Sequence, residues 1–372
     1  MNAANQLLYN IALTLLPEVG SVLAKNLIAY CGSAEAVFKA SSSKLKKVPL
    51  VGEVRASVIE DAIKNGSLLK QAETEIAFIS KHHIQPLFFT DSNYPYRLKE
   101  CDDGPPMLYY KGNANLNAPK TVAIVGTRNA SDYGKEATKK LVNDLAAHNV
   151  LVLSGLAYGI DIYAHNAALE NNLQTVGVLA HGLNRIYPTQ HRNTAKQMVE
   201  QGGLLTEYTS QCAFTPHNFP QRNRIVSGLS DAVIVVESDV KGGALITANI
   251  ANSYNREVFA VPGKTTDRFS RGCNFLIKTY KAQIIDSAQD VIEAMNWQSE
   301  ATANKVKTRQ LKLVLTASEQ AIFDVLEEGE NGIDILLAKC NLNSGELSAT
   351  LLEMEMNRVV VSLPGKRYKL TV

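Results

Sequence analysis

The sequence predicts an α/β protein. Its middle is a doubly wound, mostly parallel sheet, with a helical region before it and a winged helix after it. Three observations carry this reading. Between residues 119 and 297, short apolar runs alternate with segments of helical spacing, the pattern of parallel strands joined by crossover helices. Residues 1–83 hold helical segments with little strand signal. The chain closes on three helical segments and a hairpin, the pattern of a winged helix.

In the first region, Leu15-Leu16-Pro17-Glu18-Val19-Gly20 is a tight turn between two apolar periodic segments, and Val48-Pro49-Leu50-Val51-Gly52 is a weaker second copy. Such a helical hairpin turns backbone N–H groups outward, where they can meet a phosphate; a hairpin used only for packing is the competing reading. Residues 84–118 read as a connector, because Tyr94-Pro95 and Pro105-Pro106 preclude a continuous helix beside the apolar run Met107-Leu108-Tyr109-Tyr110.

Within 119–297 the expected strands are Thr121 to Val125, Val150 to Leu153, Thr175 to Leu179, Leu204 to Thr206, Ala232 to Val236, Val258 to Val261 and Gln283 to Ile285. Lys135 to His148 sets Ala137, Leu141 and Leu145 on one helical face, and Ile160 to Glu170 and Ala244 to Tyr254 are further helices. Residues 298–311 are polar and carry several lysines, a linker composition. In 312–372 the helices fall at Glu319 to Glu327, Ile333 to Lys339 and Ser344 to Asn357, before Val359-Val360-Val361, a Pro364-Gly365-Lys366 turn and Tyr368-Lys369-Leu370.

Bulk properties narrow the function classes. With 372 residues, 45% hydrophobic and 20% charged, the chain has the composition of a globular protein of two or three domains. No apolar run reaches membrane-span length and no signal-type segment opens the chain, so a cytoplasmic protein with no membrane partner is expected. Five scattered cysteines form no Cys-x-x-Cys pair, so neither a disulfide framework nor a structural zinc site is expected. A net charge of +2 means that any nucleic-acid binding depends on local concentration of cations.

The chemistry-bearing residues cluster after the strands. Gly126 and Arg128 follow the first, in a glycine-bearing loop that is neither a dinucleotide fingerprint nor a P-loop. Ser154 and Gly155 follow the second, offering a hydroxyl and close backbone approach. Phe219-Pro220-Gln221-Arg222-Asn223-Arg224 precedes the apolar run at Ala232; its two guanidinium groups suit phosphate, and Phe219 suits stacking on an unpaired base. Lys241, Gly242 and Gly243 stand at the next strand–helix junction. In a doubly wound sheet these junctions converge on one edge, outside the carboxyl ends of the strands. Asp161 and His165, at i and i+4, read as a helix-start residue with a packed, hydrogen-bonded partner; an acid–base pair is the competing reading.

In this order, Val125-Gly126-Thr127-Arg128, the run Ser154 to Asp161, Ala164-His165, Tyr187-Pro188, the run Phe219 to Ser230, Leu245-Ile246-Thr247-Ala248 and Val261-Pro262-Gly263 resemble the DNA-processing protein A family (DprA, also called Smf). The resemblance covers the middle region. It implies an extended Rossmann domain that binds single-stranded DNA and dimerises, an N-terminal domain of the sterile-alpha-motif or helix-hairpin-helix type, and a C-terminal winged helix. It further implies protection of incoming single strands and loading of the recombinase RecA during natural transformation, without catalysis, cofactor or metal. On this reading Gly126, Arg128, Ser154, Gly155, Arg222, Asn223, Arg224, Lys241, Gly242 and Gly243 line a phosphate pocket, with Phe219 stacking on a base. One departure stands out: Gly242-Gly243-Ala244 occupies the place of a Ser-Gly-Ser run usual in the family. The alternative class is a Rossmann-type nucleotide-processing hydrolase using Asp161 and His165 or Glu207.

Overall fold

The protein is described by a computed structural model covering residues 3–297 and 315–371; the expected linker at 298–311 lies outside the described residues. Helices α1 (Ala3–Thr14), α2 (Ser21–Cys31), α3 (Ala34–Phe38), α4 (Ser42–Leu45), α5 (Glu53–Asn65) and α6 (Ser67–His82) form the N-terminal unit. Its core of Ile11, Leu13, Leu27, Leu45 and Ile59 continues onto Phe88, Met107 and Tyr109.

Those last residues belong to strands β1 (Gln85–Phe88) and β2 (Met107–Gly112), with the short helix α7 (Tyr96–Lys99) between them. The stretch that reads as a connector thus contributes two strands. The prolines do prevent a long helix, but Met107 to Tyr110 is an apolar run of strand length; β2 pairs antiparallel with β1 and, on its other side, with residues Gly203 to Thr206. The N-terminal unit is also tied on by a carboxylate: Glu75 accepts from the Ser210 amide at 2.9 Å and from the Ser210 hydroxyl at 2.5 Å.

The main sheet continues with β3 (Thr121–Val125), β4 (Leu151–Ser154), β5 (Thr175–Val178), β6 (Gly202–Thr206), β7 (Ala232–Val235), β8 (Glu257–Ala260) and β9 (Gln283–Ile284). Among the described residues its order is β1-β2-β6-β5-β4-β3-β7-β8-β9, and β6 through β9 are parallel in that order. Both faces are covered, as continuous apolar strands require. Ala123, Leu153, Val233 and Val235 face α11 (Asn218–Leu229), α12 (Gly243–Ser253) and α13 (Arg271–Lys278). Their neighbours Val122, Val152, Ala232 and Ile234 face α8 (Asp132–Ala146), α9 (Ile160–Glu170) and α14 (Ala288–Ala294). Helix α10 (Arg192–Gln201) links β5 to β6. The winding reverses between β3 and β7, so the sheet is doubly wound with a switch point there.

The C-terminal unit holds α15 (Ala317–Glu327), α16 (Ile333–Lys339), α17 (Ser344–Met356) and a small sheet of β10 (Asn331–Gly332), β12 (Arg367–Leu370) and β11 (Val360–Leu363) in that order. Capping boxes start two of its helices, Thr316 with Glu319 and Asn343 with Glu346. No described helix is long and apolar enough to cross a membrane.

One buried carboxylate joins three of these parts. Asp231, at the start of β7, accepts from Arg97 Nε at 2.7 Å and Nη2 at 2.8 Å, from the Thr121 amide of β3 at 2.9 Å and from Arg367 Nη2 of the wing at 3.2 Å. Arg97 is fully buried. Its Nη2 also donates to the Ala118 carbonyl, and the guanidinium groups of Arg97 and Arg367 both lie against the Tyr96 ring. Removing one partner from such a site strands the other charge without water. Asp231→Ala therefore lowers unfolding free energy by about 3–5 kcal/mol in denaturant titration, and a paired Arg97→Met, Asp231→Leu variant recovers most of that stability.

Candidate nucleic-acid interface

The cleft at the β3–β7 switch point has a volume of about 700 Å³. The first turns of α8, α9, α11 and α12 all point to this edge, because each helix leaves the carboxyl end of a strand or runs toward the base of the next. Their unpaired amides give the edge a positive potential. The β3–α8 loop is held by the buried Glu237: its carbonyl accepts from the Thr127 amide at 2.7 Å, and its carboxylate accepts from the Ser131 amide at 2.9 Å and the Ser131 hydroxyl at 2.5 Å. A side chain at Gly126 would overlap Ile160 and the Glu237 carbonyl. Gly159 has φ of 75° and sits against the Thr127 carbonyl, so only glycine lets α9 start beside this loop.

The cations separate into two sets. Arg128 and Lys241 are exposed on the cleft and form no ion pair among the described residues. The Arg128 guanidinium lies over the Phe219 ring at 5.6 Å. Arg268, also on the rim, is paired with Asp239 at 2.7 Å. Arg222 lines the same cleft but is 5% exposed, and its guanidinium is spent inside the protein. Nη1 donates to the Gly155 carbonyl at 2.7 Å and to the Val178 carbonyl, and Nε donates to Asn223 Oδ1 at 3.3 Å. Arg224 turns to another cleft and pairs with Glu207 at 2.5 Å.

The reason is helical. Residues from Phe219 to Arg224 lie within α11, a helix not among those expected, and two steps of a helix rotate a side chain by about 200°. Arg222 and Arg224 therefore cannot share one anion. Ser154 also departs from the expected phosphate role: it is fully buried and its hydroxyl donates to the Ile124 carbonyl at 2.6 Å. Gly155 is a packing glycine, since a Cβ there would meet Arg222 and Asp161. The cleft does bring together Gly126, Arg128, Phe219, Asn223, Lys241, Gly242 and Gly243. At Gly242 a side chain would collide with the Ser238 hydroxyl, which occupies the space a serine would take, while Gly243 borders open space.

Sequence reasoning missed an aromatic wall. Phe214 stacks near Tyr187 at 4.9 Å and Phe219 at 5.8 Å, and Tyr187 lies 6.0 Å from Phe219. Phe214 and Tyr187 are 38% and 46% exposed on the cleft. Their only sequence signal is position, an aromatic within two residues of a loop proline. Ser238 and Asp239, in the same β7–α12 loop as Lys241, and Arg268, from a segment further along the chain, were also missed.

The acid–base candidates are dispersed. Asp161 Oδ2 accepts from the Gly155 and Ala157 amides at 3.1 and 3.3 Å, as a helix-start residue does; burial pushes its carboxyl up, and Arg222 and these amides oppose that. His165 does not pair with Asp161. Its Nδ1 lies 2.7 Å from the Thr175 hydroxyl, and burial pushes its pKa down to about 3, leaving a neutral ring. Glu207 faces the other cleft, with burial raising its carboxyl and Arg224 opposing. Among the described residues no cluster of His, Cys, Asp and Glu has metal-binding geometry.

Comparison with known proteins agrees with this architecture. The family described as DNA recombination-mediator protein A matches residues 85–296, and the DprA winged helix domain matches 307–366. Protein Smf of Synechocystis sp. is 32% identical over 97% of this chain and 98% of its own length. The X-ray structure of DNA processing protein A from Streptococcus pneumoniae superimposes with a TM-score of 0.62 at 30% identity, covering 77% of this chain and 97% of that one. DNA processing protein A from Helicobacter pylori, whose structure addresses its single-stranded DNA binding mode, gives 0.52 at 32% identity, covering 57% and 95%. With the doubly wound sheet, the terminal winged helix and these matches together, the chain belongs to the DNA recombination-mediator protein A family.

Proposed function

We propose that this protein holds single-stranded DNA along the switch-point cleft and acts as a recombination mediator, protecting imported strands and loading RecA during natural transformation in the cytoplasm. The observation that carries this is the pairing of free cations with exposed rings. Arg128 and Lys241 offer charge to phosphate, while Phe219, Phe214 and Tyr187 offer π-faces to unpaired bases. Phosphate contacts of this kind carry no base identity, and stacking tolerates any base. The single-strand binding of the Helicobacter pylori relative supports the same ligand here. A hydrolase is not favoured, because Asp161, His165 and Glu207 are each engaged by different partners.

We further propose a homodimer through the Rossmann domain. Strand β9 is an edge strand of the main sheet, and α13, the turn after it and β9 expose Phe275, Tyr280 and Ile284 in that order, at 44%, 98% and 59%. An open edge with apolar flanks is a pairing surface. Ile284→Arg is expected to convert dimer to monomer in light scattering; a wild-type monomer, or a dimer unaffected by this change, rejects that surface.

Filter binding across a salt series tests the cleft. Arg128→Ala and Lys241→Ala weaken single-strand binding for every sequence, and each lowers the salt slope by about 0.7 for every phosphate no longer neutralised. Phe219→Ala costs about 1–3 kcal/mol with little change in slope. Arg222→Ala acts mainly on stability, since its guanidinium bonds internal carbonyls. Unchanged binding by both Arg128→Ala and Lys241→Ala rejects the cleft, and release of free base from nucleoside monophosphates that Glu207→Gln abolishes favours the hydrolase.

A further inference from the structure

The winged helix carries a second surface that the cleft does not use. In helix-turn-helix folds the recognition helix enters the major groove, and contacts to phosphate and base edges come mainly from cationic and polar side chains. Here that helix is α17, which has no lysine or arginine between Ser344 and Met356. Its solvent side carries Ala349, Leu352 and Met356, spaced three and four residues apart and so aligned in one row. Leu352 is 60% exposed and Met356 77%.

Carboxylates border this row. Glu353 is exposed beside Leu352 and forms no ion pair among the described residues. Glu346 completes the capping box at the start of α17, and Glu355 accepts from the Ser362 hydroxyl at 2.5 Å. Residues 315–371 hold nine acidic and five basic side chains, a net charge of −4. The wing is also engaged. Its Gly365 amide donates to the Asn255 carbonyl at 3.3 Å, and Arg367 is consumed by Tyr96, Glu330 and Asp231. The wing keeps an exposed Lys366 at its turn, but the helix that would enter the groove presents no positive charge of its own.

A single exposed leucine is ordinary. An aligned Leu–Met row on the recognition helix, bordered by a free carboxylate in an acidic domain, has the complement of one kind of partner. We propose that the winged helix is a protein-docking module whose α17 row receives a cationic amphipathic helix of a partner protein. The partner's apolar anchor lies over Leu352 and Met356, where the flexible thioether adapts to its shape, and its lysines or arginines meet Glu353 and the surrounding negative field.

The test uses full-length protein and a short labelled peptide of leucine and lysine with leucines at helical spacing, read by fluorescence anisotropy. A peptide with glutamate in place of lysine is the control, and a short DNA duplex is tried in parallel. The lysine peptide is expected to bind, to weaken with salt and to lose about tenfold in affinity in Leu352→Ala and in Glu353→Lys, the scale of one buried aliphatic anchor or one interfacial charge pair. Single-strand retention stays unchanged in both variants, because neither residue lines the cleft. Absence of peptide binding, or equal binding by both variants, overturns the proposal. So does duplex binding by the wild type that Leu352→Ala weakens, which would make α17 a DNA-reading helix.

Discussion

The Asp231 carboxylate is the constraint on which the rest of the structure depends. It is buried at the base of β7, where water cannot screen it, so every lone pair needs a donor. Arg97 supplies two, the Thr121 amide a third and Arg367 a fourth. These donors come from α7, the first residue of β3 and the wing. Meeting the carboxylate's demand therefore sets β3 beside β7 in register, holds the β1–β2 excursion against the sheet and docks the winged helix at that end. The switch-point cleft lies at the opposite end of the same two strands, so its walls inherit their alignment from this buried contact.

At the cleft the deciding quantity is what each charge is already doing. Arg222 and Arg224 are the most conspicuous cations of the sequence, yet both are engaged by the protein itself, one by main-chain carbonyls and one by Glu207. Arg128 and Lys241 stand in ordinary loops and retain their charge for a ligand. A guanidinium held by backbone acceptors shapes a wall; one resting over a ring in solvent can follow a phosphate. Arg222 bridges Gly155 and Val178, after β4 and at the end of β5, and so supports the surface on which Asn223 and Phe219 are displayed.

Much of the architecture was legible because its causes are local. Ala232 to Val236 and Val122 to Val125 are uninterrupted apolar runs, and a strand covered on both faces needs that composition. The capping residues and apolar spacing of the C-terminal helices are local too. What escaped depended on partners far along the chain. Met107 to Tyr110 becomes a strand through β1 and β6, and His165 finds Thr175 rather than Asp161. The helix Asn218–Leu229 is not among the expected ones because the polar residues before Ile225 mask the helical face that Ile225, Val226 and Leu229 bury.

The sequence by itself determined the parallel sheet, its flanking helical units and the collection of glycines and cations at one edge, because periodicity and strand–helix alternation encode all three. Only the tertiary structure decided which of those cations remain free. Burial and hydrogen-bond partners are set by segments far apart in the chain: Val178 claims Arg222, Glu207 claims Arg224, and Ser238 fills the place of a side chain at Gly242. The same folding assembles one wall from Tyr187, in the loop after β5, and from Phe214 and Phe219, before and within the first turn of α11.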